Sequence, residues 1–332
     1  MSLPRLSLAL DGGGLELPGD GPIAVLMPRA GMDLSALPRD RVRVVTPLKP
    51  DHDAFAAAGY ACTSSLDAPA AAAVVFLPRA KTLARDLLAR AEAAVTPGGP
   101  VVVDGQKTDG ADSILRDLRR LVQVEGPISK AHGKIYWFAA DTTLLGWRAP
   151  DRLRIAEGFV TAPGVFSADG IDPGSRLLAE TVPKGLSGQV ADLGAGWGYL
   201  AARLLARCPK LTRLDLVEAD RVALDCAREN VTDPRARFHW ADATRWRPDA
   251  ALDAVVMNPP FHSGRAADPG LGRAFIAQAA AVLRPGGTLW LVANRHLPYE
   301  AELDRHFTGI REIGGDARFK LLEARVRNRA PR

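Results

Sequence analysis

The chain runs twice through the same order of local patterns, and that repetition limits what it can fold into more than any other feature. A short β-branched run ending in proline stands in each half, AAAVVFLPRA at 71–80 and LDAVVMNPPF at 252–261. Further on, each half has an alanine-rich helical stretch, then Pro-Gly-Gly, then an apolar strand: AEAAVTPGGPVVVDG at 91–105 and AQAAAVLRPGGTLWLVAN at 277–294. Each half then closes on an aromatic-containing strand, KIYWFAA at 134–140 and RFKLLEARV at 318–326. Three matches in one order indicate an internal repeat. The 332 residues suffice for two domains of ordinary size. The expected organisation is two tandem α/β domains of related topology, residues 1–150 and 158–332, with the join near 147–157.

The second half alternates strand and helix. Strands are expected at 189–193, 214–218, 237–240, 252–258 and 287–293, and helices at 198–207, 221–229 and about 272–283. Short apolar runs separated by amphipathic segments predict a mainly parallel sheet covered on both faces. Ligands of such sheets lie at the carboxyl ends of the strands. No apolar run approaches the roughly 18 residues of a membrane span, and MSLPRLSLALDGGG makes a poor signal peptide. Cys62, Cys208 and Cys226 lie far apart without a CxxC pair, which disfavours disulfides and structural zinc and fits a reducing cytoplasm.

Residues at those strand ends carry the chemistry. The first strand of the second half runs into Asp192-Leu193-Gly194-Ala195-Gly196-Trp197-Gly198. Glycine at every second position lets the backbone turn tightly against a ligand, although a plain strand-to-helix turn would also use it. The next strand ends in Glu218, 22 residues after Gly196, where a carboxylate can accept hydrogen bonds from both hydroxyls of a ribose. The third leads to Asp242 in Trp240-Ala241-Asp242-Ala243, a place to meet an adenine amino group or to cap a turn. The loop and both acids on three successive strand ends favour nucleoside binding.

The fourth strand ends in Asn258-Pro259-Pro260-Phe261-His262. The prolines stiffen the segment and keep the Pro259 carbonyl out of a regular helix. An Asn oxygen and a neighbouring carbonyl can together accept both hydrogens of a planar amino group, and Phe261 offers a face for a base.

DLGAGWG, Glu218, Asp242 and NPPF resemble the motifs of class I S-adenosylmethionine-dependent methyltransferases that act on exocyclic or amide nitrogens. APGVFSADGIDPGSRLL (162–178), NPPFHSG (258–264), GGTLWLVANRHLPY (286–299) and ARFKLLEARV (317–326) resemble one branch, the bacterial ribosomal RNA small-subunit methyltransferase C family. That resemblance covers about residues 158–327 strongly and the first half more loosely. It implies two Rossmann-like methyltransferase-type domains, the C-terminal one catalytic and the N-terminal one degenerate. It implies S-adenosylmethionine as methyl donor with no metal, held by Asp192, Gly194, Gly196, Gly198, Glu218, Asp242 and Ala243. Asn258 and Pro259 would orient a guanine N2, Phe261 would stack on the base, and His262 and Phe166 would touch base or donor. The implied partner is 16S rRNA of the small ribosomal subunit, and the expected protein is a cytoplasmic monomer with no membrane association. Three alternatives stay open: a 23S rRNA guanine-N2 enzyme, an adenine-N6 or glutamine-amide methyltransferase, and a non-enzymatic RNA-binding scaffold.

The first half lacks the site. Its early strand runs into IAVLMPRAGMDL (23–34), with one glycine in place of three. The counterpart of NPPF is Phe76-Leu77-Pro78-Arg79, and no acid directly follows VRVVTP (42–47), although Asp51 and Asp53 are near. Such a domain suits RNA docking or support of its partner. Arg79, Lys81, Lys107, Lys130, Lys134 and the basic tail from Arg318 are candidate phosphate contacts. The net charge of +5 is a weak signal by itself, because 38 acidic residues offset 43 basic ones.

Overall fold

The computed structural model describes residues 4–260 and 269–327. It separates into two compact units, Met1–Asp151 and Arg152–Arg332. Phe261, His262 and the end of the basic tail lie outside the described residues.

In the first unit, α1 (Arg5–Leu10) precedes β1 (Ile23–Leu26), β2 (Val42–Val45), α2 (Lys49–Ala57), β3 (Ala61–Thr63) and β4 (Ala72–Phe76). Then come α3 (Lys81–Ala94), β5 (Pro100–Gln106), α4 (Ala111–Leu118) and the hairpin β6 (Glu125–Lys130) and β7 (Gly133–Ala139). The seven strands lie in the order β3-β2-β1-β4-β5-β7-β6, the first five parallel and the hairpin antiparallel. Ala24 and Leu26 enter the core on one face and Ile23 and Val25 that on the other, as the period of two requires. Both faces are covered, so β1 is apolar throughout rather than alternating.

The second unit begins with a small hairpin, β8 (Leu153–Arg154) and β9 (Val160–Thr161), followed by α5 (Pro173–Thr181). Next are β10 (Gly188–Leu193), α6 (Tyr199–Arg207), β11 (Leu211–Glu218), α7 (Arg221–Asn230) and β12 (Ala236–Trp240). The remainder is β13 (Leu252–Met257), α8 (Pro269–Val282), β14 (Leu283–Asn294), α9 (Glu300–His306), β15 (Thr308–Gly315) and β16 (Phe319–Arg325). The sheet order is β12-β11-β10-β13-β14-β16-β15, element for element the order of the first sheet. The expectation of one topology used twice agrees with this. The largest boundary difference on the strands is at β14, which begins at Leu283, ahead of the Pro-Gly-Gly, because Leu283 already pairs with Leu252.

Register makes the two sheets comparable residue by residue. Leu26 pairs with Val45 and Val75, and Leu193 pairs with Val217 and Met257. Counting on from those pairs, Met27 stands where Gly194 stands, Thr46 where Glu218 stands, and Phe76 where Asn258 stands.

Candidate functional site

The carboxyl end of β10 is the centre of the site. Gly194, Gly196 and Gly198 all have positive φ, at 76°, 54° and 88°. They are small for different reasons. A Cβ on Gly198 would come within 3.0 Å of Val231 and 3.1 Å of Ala227, so this glycine lets α6 start close against α7. A Cβ on Gly196 would meet nothing within 4 Å, and it would occupy the open space that a ligand needs.

Glu218 at the end of β11 fastens this loop. Its Oε2 accepts from the Gly196 N–H at 2.8 Å and its Oε1 from the Asp220 N–H at 2.8 Å. A carboxylate has about four acceptor positions, so both oxygens keep capacity for further donors. Burial pushes the Glu218 carboxyl above its usual range, opposed by the N–H groups of Asp220 and Gly196. Asp192 is 1% exposed, and its Oδ2 has no hydrogen-bond partner. Burial first, and the charge of Glu218 second, push its carboxyl up to about 8. A buried acid with an unanswered oxygen beside a second acid suits a cationic ligand.

Asp192, Gly194, Gly196, Phe166 and Asn258 line one pocket. Of the other residues expected there, Glu218 holds the N–H of Gly196, which lines the pocket, and Gly198 packs against Val231 and Ala227. Asp242 forms the turn after β12: its Oδ1 accepts from the N–H and the hydroxyl of Thr244, at 2.8 and 2.7 Å. Ala243 is buried in the core and does not line the pocket. Pro259 directly follows Asn258 and does not line the pocket. Phe261 and His262 fall among the residues not described.

The sequence reading named Phe166 but missed several residues that support it and the rest of the site. Phe166 is 54% exposed, unusual for a large aromatic, and the segment carrying it is tied to the glycine loop by Trp197, whose Nε1 donates to the Phe166 carbonyl at 3.0 Å. Asn230 at the end of α7 donates to the carbonyls of Val160 and Trp197 and accepts from the Val160 N–H, each at 2.7 Å. It joins the small hairpin to the loop. Asn258 donates through Nδ2 to Asp172 Oδ2 and Ser175 Oγ, both at 2.9 Å. Asp172 and Ser175 lie inside the segment 162–178, but no spacing rule connects them with a residue more than 80 positions on.

In the first unit, several candidate phosphate contacts have carboxylate partners. Arg79 lies 3.7 Å from Asp109, Lys81 2.7 Å from Asp117 and Lys134 2.6 Å from Asp112. Among the described residues no helix is long and apolar enough to cross a membrane, and no group of three His, Cys, Asp or Glu side chains could hold a metal ion.

A glycine loop, strand-end acids and an Asn-Pro-Pro at the carboxyl ends of this sheet define a methyltransferase-type domain, and residues 157–323 match the family described as methyltransferase small domain. The chain belongs to that family. More narrowly, it belongs with the ribosomal RNA small subunit methyltransferases C: it is 31% identical over 258 residues to the one from Shewanella piezotolerans, covering 75% of each chain. A ribosomal RNA large subunit methyltransferase G from Streptomyces coelicolor is 32% identical over 269 residues, 76% of this chain and 71% of that one. The fold is shared with a 16S rRNA guanine-N2 methyltransferase of T. thermophilus, solved with S-adenosylmethionine and guanosine. That match has a TM-score of 0.78 at 24% identity and covers 97% of this chain and 91% of the other.

Proposed function

We propose that this chain transfers a methyl group from S-adenosylmethionine to the exocyclic N2 of a guanine in 16S rRNA. The observation that carries the reading is Asn258: its amide is held in the same pocket as the glycine loop and Asp192, with its nitrogen turned onto Asp172. When bound, the donor supplies an electrophilic methyl group on a positively charged sulfur. Asp192 offers the negative partner, the Gly196 backbone the close approach, and Glu218 acceptors for ribose hydroxyls.

The guanine amino nitrogen is a weak nucleophile because its lone pair is delocalised into the ring. Asn258 Oδ1 and the Pro259 carbonyl accept its two N–H bonds and turn the lone pair towards the methyl carbon. The nitrogen–carbon bond forms as the carbon–sulfur bond breaks, and one N–H proton then leaves to water. The contribution is orientation together with stabilisation of positive charge growing on nitrogen. The target base must be out of its stack, with Phe261 as its platform and Phe166 covering the pocket mouth. His262 positions the RNA.

A pocket for one base discriminates poorly among the guanines of a ribosome. The first unit, without a donor site, supplies further contacts to folded RNA, and binding should weaken as salt rises. The protein acts as a monomer in the cytoplasm. The test compares methyl incorporation into 30S subunits, naked 16S rRNA, 23S rRNA and a short stem-loop, with nucleoside analysis of the product. N2-methylguanosine from the small-subunit substrates is expected. Preference for 23S rRNA would favour the second reading, to which the large-subunit relative of similar identity points. N6-methyladenosine would overturn the base assignment, and lack of all methylation and donor binding would leave a scaffold.

A further inference from the structure

We infer that Asp172, supported by Ser175, is a positioning residue for the reaction, setting which end of the Asn258 amide faces the substrate. This rests on the proposed function of Asn258. A primary amide has two ends of nearly the same shape and opposite hydrogen-bonding character. Turned over, Asn258 would present hydrogens to the amino group it has to hold. The structure contains a device that forbids this. The Asn258 Nδ2 lies 2.9 Å from Asp172 Oδ2 and 2.9 Å from Ser175 Oγ. The Asp172 Oδ2 also accepts from the Ser175 N–H, so a reversed amide would set two acceptor oxygens face to face and lose the Asp172 bond, whereas the Ser175 hydroxyl can donate or accept. No described group donates to Oδ1, the end left for the substrate.

Helix capping alone does not account for this arrangement. Asp172 is the N-cap of α5, and the same Oδ2 accepts from the Ser175 N–H at 2.7 Å. That single bond would satisfy the cap, and serine or threonine would serve as well. The longer carboxylate adds reach to Asn258, 86 residues away at the end of β13. The neighbouring Gly174 keeps the arm clear: a Cβ there would stand 3.1 Å from Asp172 Oδ2 and 3.1 Å from the Phe319 ring. The segment between Phe166 and Ser175 is therefore anchored twice, through the Phe166 carbonyl to the loop that faces the donor and through Asp172 to the residue that holds the acceptor. Placement of the aromatic cover and orientation of the amide are built into one stretch of chain.

Two substitutions separate clamp from cap. Asp172→Ser keeps an N-cap oxygen but sets it one bond closer to the backbone, out of reach of Asn258. Asp172→Asn keeps both the cap and an acceptor at the Oδ2 position. With 16S rRNA or 30S subunits as substrate, Asp172→Ser should lower kcat about 100-fold, as a misplaced reacting group does. KM for S-adenosylmethionine and Tm should stay near wild type, and Asp172→Asn should restore most of the rate. Ser175→Ala, with the cap intact, should show a smaller loss of the same kind. Wild-type kcat in Asp172→Ser, or equal loss in Asp172→Asn, would overturn the inference. A second readout needs no turnover: hydrogen exchange of the ¹⁵N-labelled Asn258 side-chain amide should be at least about tenfold faster in Asp172→Ser than in wild type or Asp172→Asn. Equal exchange would sink the clamp even if the RNA substrate proved different. Altered exchange with no guanine methylation by the wild type would instead refute the proposed reaction and leave the clamp standing.

Discussion

The two sheets share one strand order and differ at almost every residue that would touch a methyl donor. In the second unit Gly194 turns with φ 76° and donates its N–H to the Val217 carbonyl at 2.9 Å. In the first, Met27 makes the same turn with φ 57° and donates to the Val45 carbonyl at 2.9 Å. The backbone has kept the geometry after the glycine was lost, at a conformational cost of roughly 1 kcal/mol or more. Arg29 follows at the place of Gly196, and Gly31, at the place of Gly198, keeps a positive φ of 85°. Even the loop clasp persists in altered form: Asp51 on α2 accepts from the Ala30 N–H at 2.8 Å, where Glu218 holds Gly196. The strand-end acid Glu218 has become Thr46, and Asn258 is matched by Phe76. Turn and sheet are required by folding and survive. Groups that only a ligand uses do not.

The comparison breaks first at Asn258. Asn258→Ala should lower kcat by about 10²–10³, roughly 2.7–4 kcal/mol, as for loss of one positioned polar group in a transition state. Phe76→Ala, at the matching place, should leave kcat per folded molecule unchanged. Steady-state methylation of rRNA measures both, and a catalytic defect in the Phe76 variant would mean that the first unit shares in the chemistry.

A somewhat smaller effect is expected at the loop. Gly196→Val puts a β-branched side chain at φ 54°, in the open space beside the pocket, and should weaken donor binding by on the order of 100-fold. Arg29→Gly should create no donor binding, because the acids are still missing. Isothermal titration reads both variants, and gain of binding by the second would show that the first unit lost only its glycine.

Asp192 predicts a pH dependence that the first unit lacks, since Val25 stands in its place. Its carboxyl, pushed up to about 8 by burial and Glu218, is protonated near pH 6–7 in the donor-free protein. A cationic donor is held best by the ionised form, so binding releases a proton. Donor affinity should therefore rise with pH up to about 8, by at most tenfold per unit, and Asp192→Asn should flatten the rise. The folding contribution has the opposite sign. Between 3.8 and about 8 the folded state binds the extra proton, so this group's contribution to stability falls as pH rises through that window. Affinity independent of pH in the wild type would count against an ionised Asp192 in the complex.

The smallest effect belongs to the relic clasp. Asp51→Ala removes the acceptor for the Ala30 N–H and should cost about 1 kcal/mol of stability, measured by urea unfolding. Donor affinity should not change.

Much of this was legible from the sequence because it rests on local rules. Alternating apolar runs and helical stretches foretold the sheets, and the DLGAGWG spacing placed a loop at the right strand end. Local pattern could not say what Asp242 does. Its Oδ1 serves the turn through Thr244, and nothing in the one-dimensional string separates a turn-former from a ligand contact. Nor could it tell that Ala243 would be buried in the core, or that Met27 would hold a left-handed turn without glycine.

By itself the sequence determined the repeat, the parallel sheets and the glycine loop and acids at the strand ends. Those follow from periodicity and side-chain chemistry, which neighbours in the chain suffice to express. Only the tertiary structure decided how those residues are held: Glu218 against Gly196, Trp197 against the Phe166 carbonyl, Asn230 across to Val160, and Asp172 against Asn258. Each of these pairs spans 22 to 86 positions, far outside any local window. A hydrogen bond requires donor and acceptor to meet within about 3 Å, and for residues so distant in sequence it is the packing of the sheet and its helices that brings them there.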